Sequence, residues 1–131
     1  MDTDRANLID EGLTASILAC FYAVYNELGG GFLESVYENA LAIALEAAGI
    51  PVARQVALRV RFRGHVVGDF KIDLLVDNRV VVEIKAVSHL APSHEVQLVN
   101  YLKGTGIPVG LLLNFGPVPK FKRRVFVSKQ S

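Results

Sequence analysis

The chain is organised around residues 68–85, which read Gly68-Asp-Phe-Lys-Ile-Asp-Leu-Leu-Val-Asp-Asn-Arg-Val-Val-Val-Glu-Ile-Lys85. Ile72, Leu74 and Val76 alternate with Asp73 and Leu75, which predicts a β-strand. The polar residues at 77–79 supply turn chemistry, and the apolar run after them predicts a strand that returns over residues 80–85. Together these patterns predict a β-hairpin in which positions 76 and 80 face each other.

Three ionisable side chains fall on this hairpin where a core strand would have none. In the predicted register Asp73 lies opposite Glu83, and Lys85 shares a face with Glu83 because strand side chains repeat with period two. Carboxylates at facing positions have Cβ atoms about 4.5–5.5 Å apart and repel each other, and a divalent cation would relieve the repulsion. The residues alone also permit a structural ion pair with Lys85, and a different turn length would shift the register by one.

The composition is that of an ordinary globular protein. Of the 131 residues, 51% are hydrophobic and 21% are charged, which excludes a disordered chain. A chain of this length has room for a single core, so we expect one domain over residues 1–131.

The sequence predicts neither secretion nor a membrane span. The uncharged run at residues 12–26 is too short to cross a bilayer and is flanked by Glu11 and Glu27. No basic region followed by a small-residue cleavage site opens the chain. The lone Cys20 lies in an apolar helical pattern, which is typical of a buried thiol in a reducing compartment. We therefore expect a cytoplasmic protein that does not enter the membrane.

The charges are unevenly distributed along the chain. Residues 1–50 contain one basic and eight acidic residues, whereas residues 51–131 contain thirteen basic and five acidic ones. The central hairpin therefore lies in a basic half, which favours a polyanion as partner, while the acidic half excludes a protein that coats DNA uniformly. The same asymmetry permits self-association, so a homodimer remains an open alternative.

The remaining apolar patterns predict secondary structure in the order ααβββαββ. Helices are expected at residues 8–28 and 33–48 and from the N-cap Ser93 to Gly104 or Gly106, and further strands at 54–62, 109–115 and 123–127. The apolar residues at helical spacing that should pack on the sheet are Leu13, Ile17, Phe21, Val24 and Leu28 in the first helix and Leu33, Val36, Tyr37, Ala40, Leu41, Ala44, Leu45 and Ala48 in the second. Three antiparallel strands, a helical crossover and an inner strand predict an α/β fold with a mixed sheet.

Basic side chains recur on two of the predicted strands. In residues 54–62 the even positions from 56 onwards form an apolar face, and the other face carries Arg59 and Arg61. The last strand and the residue before it carry Lys122, Arg123 and Arg124. Both sets are suited to contact phosphates of a nucleic acid backbone. Solvated charges that protect a strand edge are an equal alternative.

The hairpin and the segments around it resemble a known nuclease family. Asp73, followed on the next strand by Glu83-Ile84-Lys85, resembles the signature of the PD-(D/E)XK nuclease superfamily. Gly31-Phe-Leu-Glu34-Ser-Val-Tyr37 matches the motif of the GxxExxY family within it. The similarity covers residues 15–127 and includes Gln55, Gly64, Gly68 and the segments 97–102 and 110–116.

The resemblance implies both a fold and an activity. The implied fold is a restriction-endonuclease-like αβββαβ core, with a central mixed sheet flanked by helices and here an extra N-terminal helix. The implied activity is that of a Mg²⁺-dependent nuclease that hydrolyses phosphodiester bonds in DNA. Ile72 and Gly30 stand where the family commonly has proline, but neither departure removes an expected catalytic residue.

The resemblance also implies roles for residues on the hairpin. The carboxylates of Asp73 and Glu83 and the backbone carbonyl of Ile84 would hold Mg²⁺ or Mn²⁺, which prefer hard oxygen ligands. Lys85 would orient or help to deprotonate the attacking water and offset the developing charge.

Residues on two helices complete the implied site. Glu34 becomes an outer metal ligand with Tyr37 one turn later to orient it, although a glutamate in the first turn of a helix is also favourable at the helix dipole. Gln97 would position the water or a phosphate, supported by Tyr101 on the same helix face. Without the resemblance such a pair is typical of the rim of a helix. His94 lies on nearly the same face, but isolated histidines are mostly structural or solvated.

Two other classes of function are compatible with the sequence. A non-catalytic module that keeps the nuclease fold and binds nucleic acid or protein would explain the small size and the acidic N-terminal half. An assembly subunit would instead pack the apolar stripe of residues 13–28 on another chain. The sequence leaves the form of the nucleic acid open.

Overall fold

The computed structural model describes residues 9–127, which form a five-stranded mixed sheet flanked by helices. The strands are β1 (Val52–Phe62), β2 (His65–Val76), β3 (Val80–Lys85), β4 (Val109–Phe115) and β5 (Pro119–Val125), and the helices are α1 (Glu11–Leu28), α2 (Glu34–Ala47) and α3 (Pro92–Thr105). The strands lie in chain order, with β3 and β4 parallel and all other neighbours antiparallel. The predicted order of elements and the mixed sheet are confirmed. A parallel pair requires a crossover, which α3 provides.

The sheet is covered on both faces. On one face α1 and α2 pack around Phe115, whose ring contacts Phe21 edge to face at 4.8 Å and stacks on Tyr37 at 4.4 Å. On the other face α3 packs through Leu98 and Leu102. Because β3 and β4 lie between these two layers, they are buried almost throughout, as their continuous apolar sequences predict.

The helix ends explain three apolar residues that were predicted to be buried and are exposed. Leu33 is the N-cap of α2 and has an extended backbone, and Ala48 is its C-cap, so helical periodicity does not apply to either. Leu28 is the last residue of α1 and is 37% exposed. Thr14 is buried on α1 instead, with its hydroxyl donating to a main-chain carbonyl at 3.0 Å. The predicted helix start at residue 8 lies outside the described residues.

The apolar stripe of α1 packs within the chain. Ile17 and Phe21 are fully buried and Val24 is nearly so, all in the core cluster beneath the sheet. The hypothesis of an assembly subunit that docks through this stripe is therefore wrong. Burial raises the pKa of the Cys20 thiol on the same helix, as expected for a structural cysteine. Among residues 9–127 no helix, α1 included, is long and apolar enough to cross a membrane.

The last strand begins earlier than predicted. β5 starts at Pro119, which pairs with Phe115, and ends at Val125, which pairs with Val109. The prediction of a strand at 123–127 took proline as a turn residue. An edge strand accepts proline because one side of its backbone needs no partner.

β1 and β2 continue beyond the sheet as a two-stranded arm. β3 pairs with only Leu74–Val76 of β2, so residues 58–70, which we call the arm, pair only with each other. Arg63 and Gly64 form the two-residue turn at the tip, with left-handed φ values of 49° and 82°. Such turns match the twist of the flanking strands.

The apolar face predicted for β1 is not a core face along the arm. Leu58 is buried, but Val60 and Phe62 are 38% and 59% exposed. Among residues 9–127, Leu58 packs in the core cluster beside α3, whereas Val60 and Phe62 belong to neither core cluster. The strand register shifts between Val60 and Arg61. The alternation in sequence therefore predicted the strand correctly, but its apolar face is largely exposed along the arm.

Candidate active site

The central hairpin brings two carboxylates together where its strands stop pairing. Leu74–Val76 pairs with Val80–Val82, so the predicted register is confirmed. Beyond this ladder the strands exchange hydrogen bonds between side chain and backbone. The Asp73 N–H donates to Glu83 Oε1 at 3.1 Å, and the Ile84 N–H donates to Asp73 Oδ2 at 2.8 Å. Both carboxylates are therefore fixed by the backbone of the facing strand.

The backbone around Asp73 is irregular. Ile72 packs in the core cluster beside α3, whereas Leu74 packs in the cluster beside α1 and α2, so the predicted alternation is wrong at this point. On β1, Gln55 stands between the partners of these two residues and has a left-handed φ of 50°. That conformation costs roughly 1–2 kcal/mol in a residue other than glycine, and such strain concentrates at functional sites.

The electrostatics of the pair favour a bound cation. The Glu83 residue is 4% exposed, and burial first, then the charge of Asp73, raise its pKa to about 8. Burial also raises the pKa of Asp73, with a further contribution from Glu38, while the hydrogen bond from the Ile84 N–H acts in the opposite direction. Two neighbouring carboxyl groups, one buried and one half-buried, resist ionisation together but would both ionise beside a divalent cation.

The donor set fits a hard divalent cation. Asp73 and Glu83 present carboxylate oxygens, and Mg²⁺ typically binds through one or two carboxylates and keeps several waters. Within residues 9–127 no group of three or more histidine, cysteine, aspartate or glutamate side chains is arranged to hold a metal. The site therefore suits a metal that retains water rather than one enclosed by protein ligands.

Two further predicted residues lie close to the carboxylate pair. Lys85 ends β3 half-buried, and its positive charge acts to lower the pKa of both Asp73 and Glu83. Tyr101 on α3 is 4% exposed, and burial, followed by the charges of Glu83 and Asp73, raises its pKa to about 12. Gln97 is half-buried on α3, one turn before Tyr101.

Of the two site residues predicted on α2, Glu34 is exposed and Tyr37 contacts the loop before the helix. Glu34 is the first residue of α2 and is exposed. The Tyr37 hydroxyl donates to the Gly29 carbonyl at 2.6 Å and accepts from the Phe32 N–H at 3.1 Å. It therefore holds the loop before α2, and the prediction that it orients Glu34 is wrong.

A different glutamate of α2 reaches the site. Glu38 has a side chain 12% exposed, and its Oε1 accepts from Gln55 Nε2 at 2.6 Å. The same nitrogen lies 3.5 Å from Asp73 Oδ1, while Arg54 donates to Glu38 Oε2 at 3.0 Å. Arg54, Glu38 and Gln55 thus form a chain of contacts that ends on Asp73.

The sequence contains a signal for this chain of contacts. Glu38 follows Glu34 by one helical turn and shares its face. Helical spacing alone therefore does not decide which of the two glutamates reaches the site. Gln55 faces Asp73 once the pairing of β1 with β2 is known. That pairing depends on the arm, whose register the sequence did not determine.

The basic residues differ in their availability. Arg61 and Lys122 are exposed, and Arg59 lies 3.7 Å from Asp69. The partly buried Arg123 donates to the Ile9 carbonyl, and Arg124 is paired with Glu95, so both are committed to structural contacts. His94 accepts from the Ala91 N–H through Nδ1 at 3.0 Å, which is a structural role at the start of α3.

The chain matches the family model of the PD-(D/E)XK nuclease superfamily over residues 11–125. It therefore belongs to this superfamily. A comparison with curated proteins gave no match.

Two solved structures are similar to this chain. The crystal structure of SSO0001 is 18% identical, with 73% of this chain and 52% of that chain covered and a TM-score of 0.56. Hjc from Archaeoglobus fulgidus, a Holliday junction resolvase from an archaeal hyperthermophile, is 20% identical, with 69% and 73% covered and a TM-score of 0.42. The chain spans about half the length of SSO0001, and this likeness concerns the fold alone. The predicted restriction-endonuclease-like fold is confirmed.

Proposed function

We propose that this protein is a divalent-metal-dependent nuclease of the GxxExxY type that hydrolyses phosphodiester bonds in DNA. The observation that carries the proposal is the pair formed by the half-buried Asp73 and the buried Glu83, each fixed by the backbone of the facing strand. Two neighbouring carboxylates repel each other without a compensating ion. A bound Mg²⁺ or Mn²⁺ would supply the compensating positive charge.

The residues of the pair would hold the metal from the hairpin. Asp73 and Glu83 would provide carboxylate oxygens, and the Ile84 carbonyl would complete the protein ligands. When bound, the metal supplies charge neutralisation at the scissile phosphate and a water of lowered pKa. Lys85 would orient that water and offset negative charge as the phosphate is attacked. Gln97 would hold the water or a phosphate oxygen from α3.

DNA is the proposed substrate because the hairpin lies in the basic half of the chain. The exposed Arg61 and Lys122 would contact its phosphates. Arg59 would do so when it is not paired with Asp69. Arg123 and Arg124 would first have to leave Ile9 and Glu95. A cytoplasmic location remains a prediction from the sequence.

Activity of single-residue variants tests the proposal. Purified protein is incubated with single-stranded, duplex and branched DNA in Mg²⁺ or Mn²⁺. Asp73→Ala and Lys85→Ala should each reduce cleavage by roughly 100-fold or more, because one removes a metal ligand and the other the group beside the attacking water. Glu46→Ala is the control, since it removes an exposed carboxylate on α2 that belongs to neither the hairpin nor the site. Cleavage that survives in both site variants would exclude this active site.

A non-catalytic nucleic-acid- or protein-binding module is the second candidate. It is favoured by the exposed position of Glu34. The described residues contain no group of three side chains that could hold a metal. Titration calorimetry with Mn²⁺ separates the two candidates. Binding that disappears in Asp73→Ala supports the nuclease, whereas DNA binding without metal binding at millimolar Mn²⁺ supports the module.

A further inference from the structure

A groove of about 540 Å³ lies between the arm and α3. The arm contributes Leu58, Val60 and Phe70 to its walls, and α3 contributes Tyr101 and Lys103. The rings of Phe70 and Tyr101 are tilted at 54° with centroids 5.7 Å apart. Leu58 and Tyr101 are buried, whereas Val60 and Phe70 are 38% and 41% exposed, so the groove has an apolar floor and an open apolar wall.

The surroundings of the groove carry positive charge. Between residues 58 and 71 the chain has four basic residues, Arg59, Arg61, Arg63 and Lys71, against the single acidic Asp69. Lys103 adds a further cation from α3. Basic residues interleaved with exposed apolar and aromatic ones are the composition of a surface that binds nucleic acid through both phosphates and bases.

The inner end of the groove adjoins the candidate active site. Tyr101 lines the groove and packs in the same core cluster as Ile72, the residue before Asp73. Phe70 lies on β2 three residues before Asp73. A strand lying in the groove would therefore run towards the carboxylate pair.

We propose that this groove binds an unpaired, single-stranded segment of nucleic acid, with a base stacked on Phe70 and the backbone held by the basic residues of the arm. The proposal rests on the proposed function for what happens at the inner end of the groove. It adds the form of the substrate, which is a single strand or the unpaired part of a branched molecule.

A single strand suits the groove better than the other occupants. Stacking on Phe70 requires a base with a free face, and the bases of a duplex are already stacked on each other. A second copy of the chain is disfavoured, since a symmetric contact between two arms would bring the three arginines of each arm together.

A tryptophan probe tests the proposal because the chain contains no tryptophan. Phe70→Trp and Phe121→Trp each introduce a single indole. Phe121 is the matched control, since it is an aromatic residue of similar exposure, 38% against 41%, on the edge strand β5. Both are made in Asp73→Ala protein and titrated without metal, so that nothing is cleaved. The ligands are an oligothymidylate of about 12 nucleotides and a blunt duplex of the same length.

Stacking should quench the indole at position 70 on addition of oligothymidylate and leave the indole at position 121 unchanged. The duplex should quench position 70 only at higher concentration. In fluorescence anisotropy, Phe70→Ala should weaken oligothymidylate binding by about 5-fold or more, and Phe121→Ala should not. Circular dichroism of each variant confirms that it is folded.

Equal quenching at both positions, tighter binding of the duplex, or a dimer in light scattering that shields position 70 would each overturn the proposal. These outcomes are independent of catalysis. If the indole at position 70 is quenched and the protein with Asp73 intact does not cleave DNA, the groove is supported and the nuclease is refuted. Cleavage that depends on Asp73, without quenching at position 70, would keep the nuclease and refute the groove.

Discussion

Glu83 places a carboxyl group beside a second carboxylate in a nearly inaccessible position. Its pKa of about 8 means that the folded, metal-free protein keeps this proton up to neutral pH. The unfolded chain loses it near the ordinary value of 4.5. The folded state thus binds more protons than the unfolded state between these two values.

The stability of the metal-free protein should therefore fall as the pH rises from about 4.5 to about 8. The contribution of Glu83 is fully present below 4.5, and its loss approaches ~1.4 kcal/mol per pH unit inside this window. Urea unfolding in EDTA at several pH values measures it. In Glu83→Gln, which has nothing to ionise at this position, the slope should become smaller, and Asp73, whose pKa burial also raises, accounts for the remainder. An unchanged slope in this variant would show that other groups cause it.

Glu38 acts on the site through another side chain. It holds Gln55, which in turn contacts Asp73, so removing it should loosen Asp73 without removing a ligand. We expect Glu38→Ala to weaken Mn²⁺ binding by about 10–100-fold, the usual effect of losing a partner behind a metal ligand. Titration calorimetry gives the affinity. Glu46→Ala, an exposed glutamate on the same helix, is the control.

Rescue distinguishes positioning by Glu38 from a general structural role. Glu38→Gln keeps an oxygen that accepts from Gln55, so it should recover most of the Mn²⁺ affinity that Glu38→Ala loses. A loss of affinity in proportion to a fall in unfolding temperature, equal in both variants, would contradict the positioning role.

At the scale of elements, α2 is anchored by a tyrosine. The Tyr37 ring stacks on Phe115 and its hydroxyl bonds both ends of the Gly29–Phe32 loop. Tyr37→Phe keeps the ring and leaves these partly buried backbone groups without a partner, which should cost about 1–3 kcal/mol of unfolding free energy. Urea unfolding tests this against Tyr22→Phe, which alters an exposed tyrosine of α1. Equal effects of the two variants would contradict the anchor.

The strands and their environment could be predicted from sequence where a local pattern is compatible with only one structure. The uninterrupted apolar run of β4 requires burial on both faces, and the Asp77-Asn78 turn fixes the register of the hairpin. The arm shows what local sequence patterns do not predict. Alternation in β1 requires a strand, but whether a layer covers it depends on how α3 packs across the sheet, which no local pattern encodes. The break in alternation at Asp73 likewise depends on the facing strand.

At the scale of the molecule, the candidate site lies where the acidic and basic halves of the sequence meet. α2 contributes Glu38 from the acidic half, while the hairpin and arm come from the basic half. The sequence located the carboxylate pair because hairpin spacing is local. Glu34 was predicted from its place in the family motif. Which of two glutamates one turn apart contacts Gln55 beside Asp73 depends on how α2 packs on the sheet.

A crystal soaked in millimolar Mn²⁺ tests the central claim most directly, because the anomalous signal locates the metal without assuming an activity. The account predicts a peak between Asp73 and Glu83, about 2.0–2.5 Å from an oxygen of each. A well-occupied Mn²⁺ site elsewhere, with no peak between these two carboxylates, would contradict it.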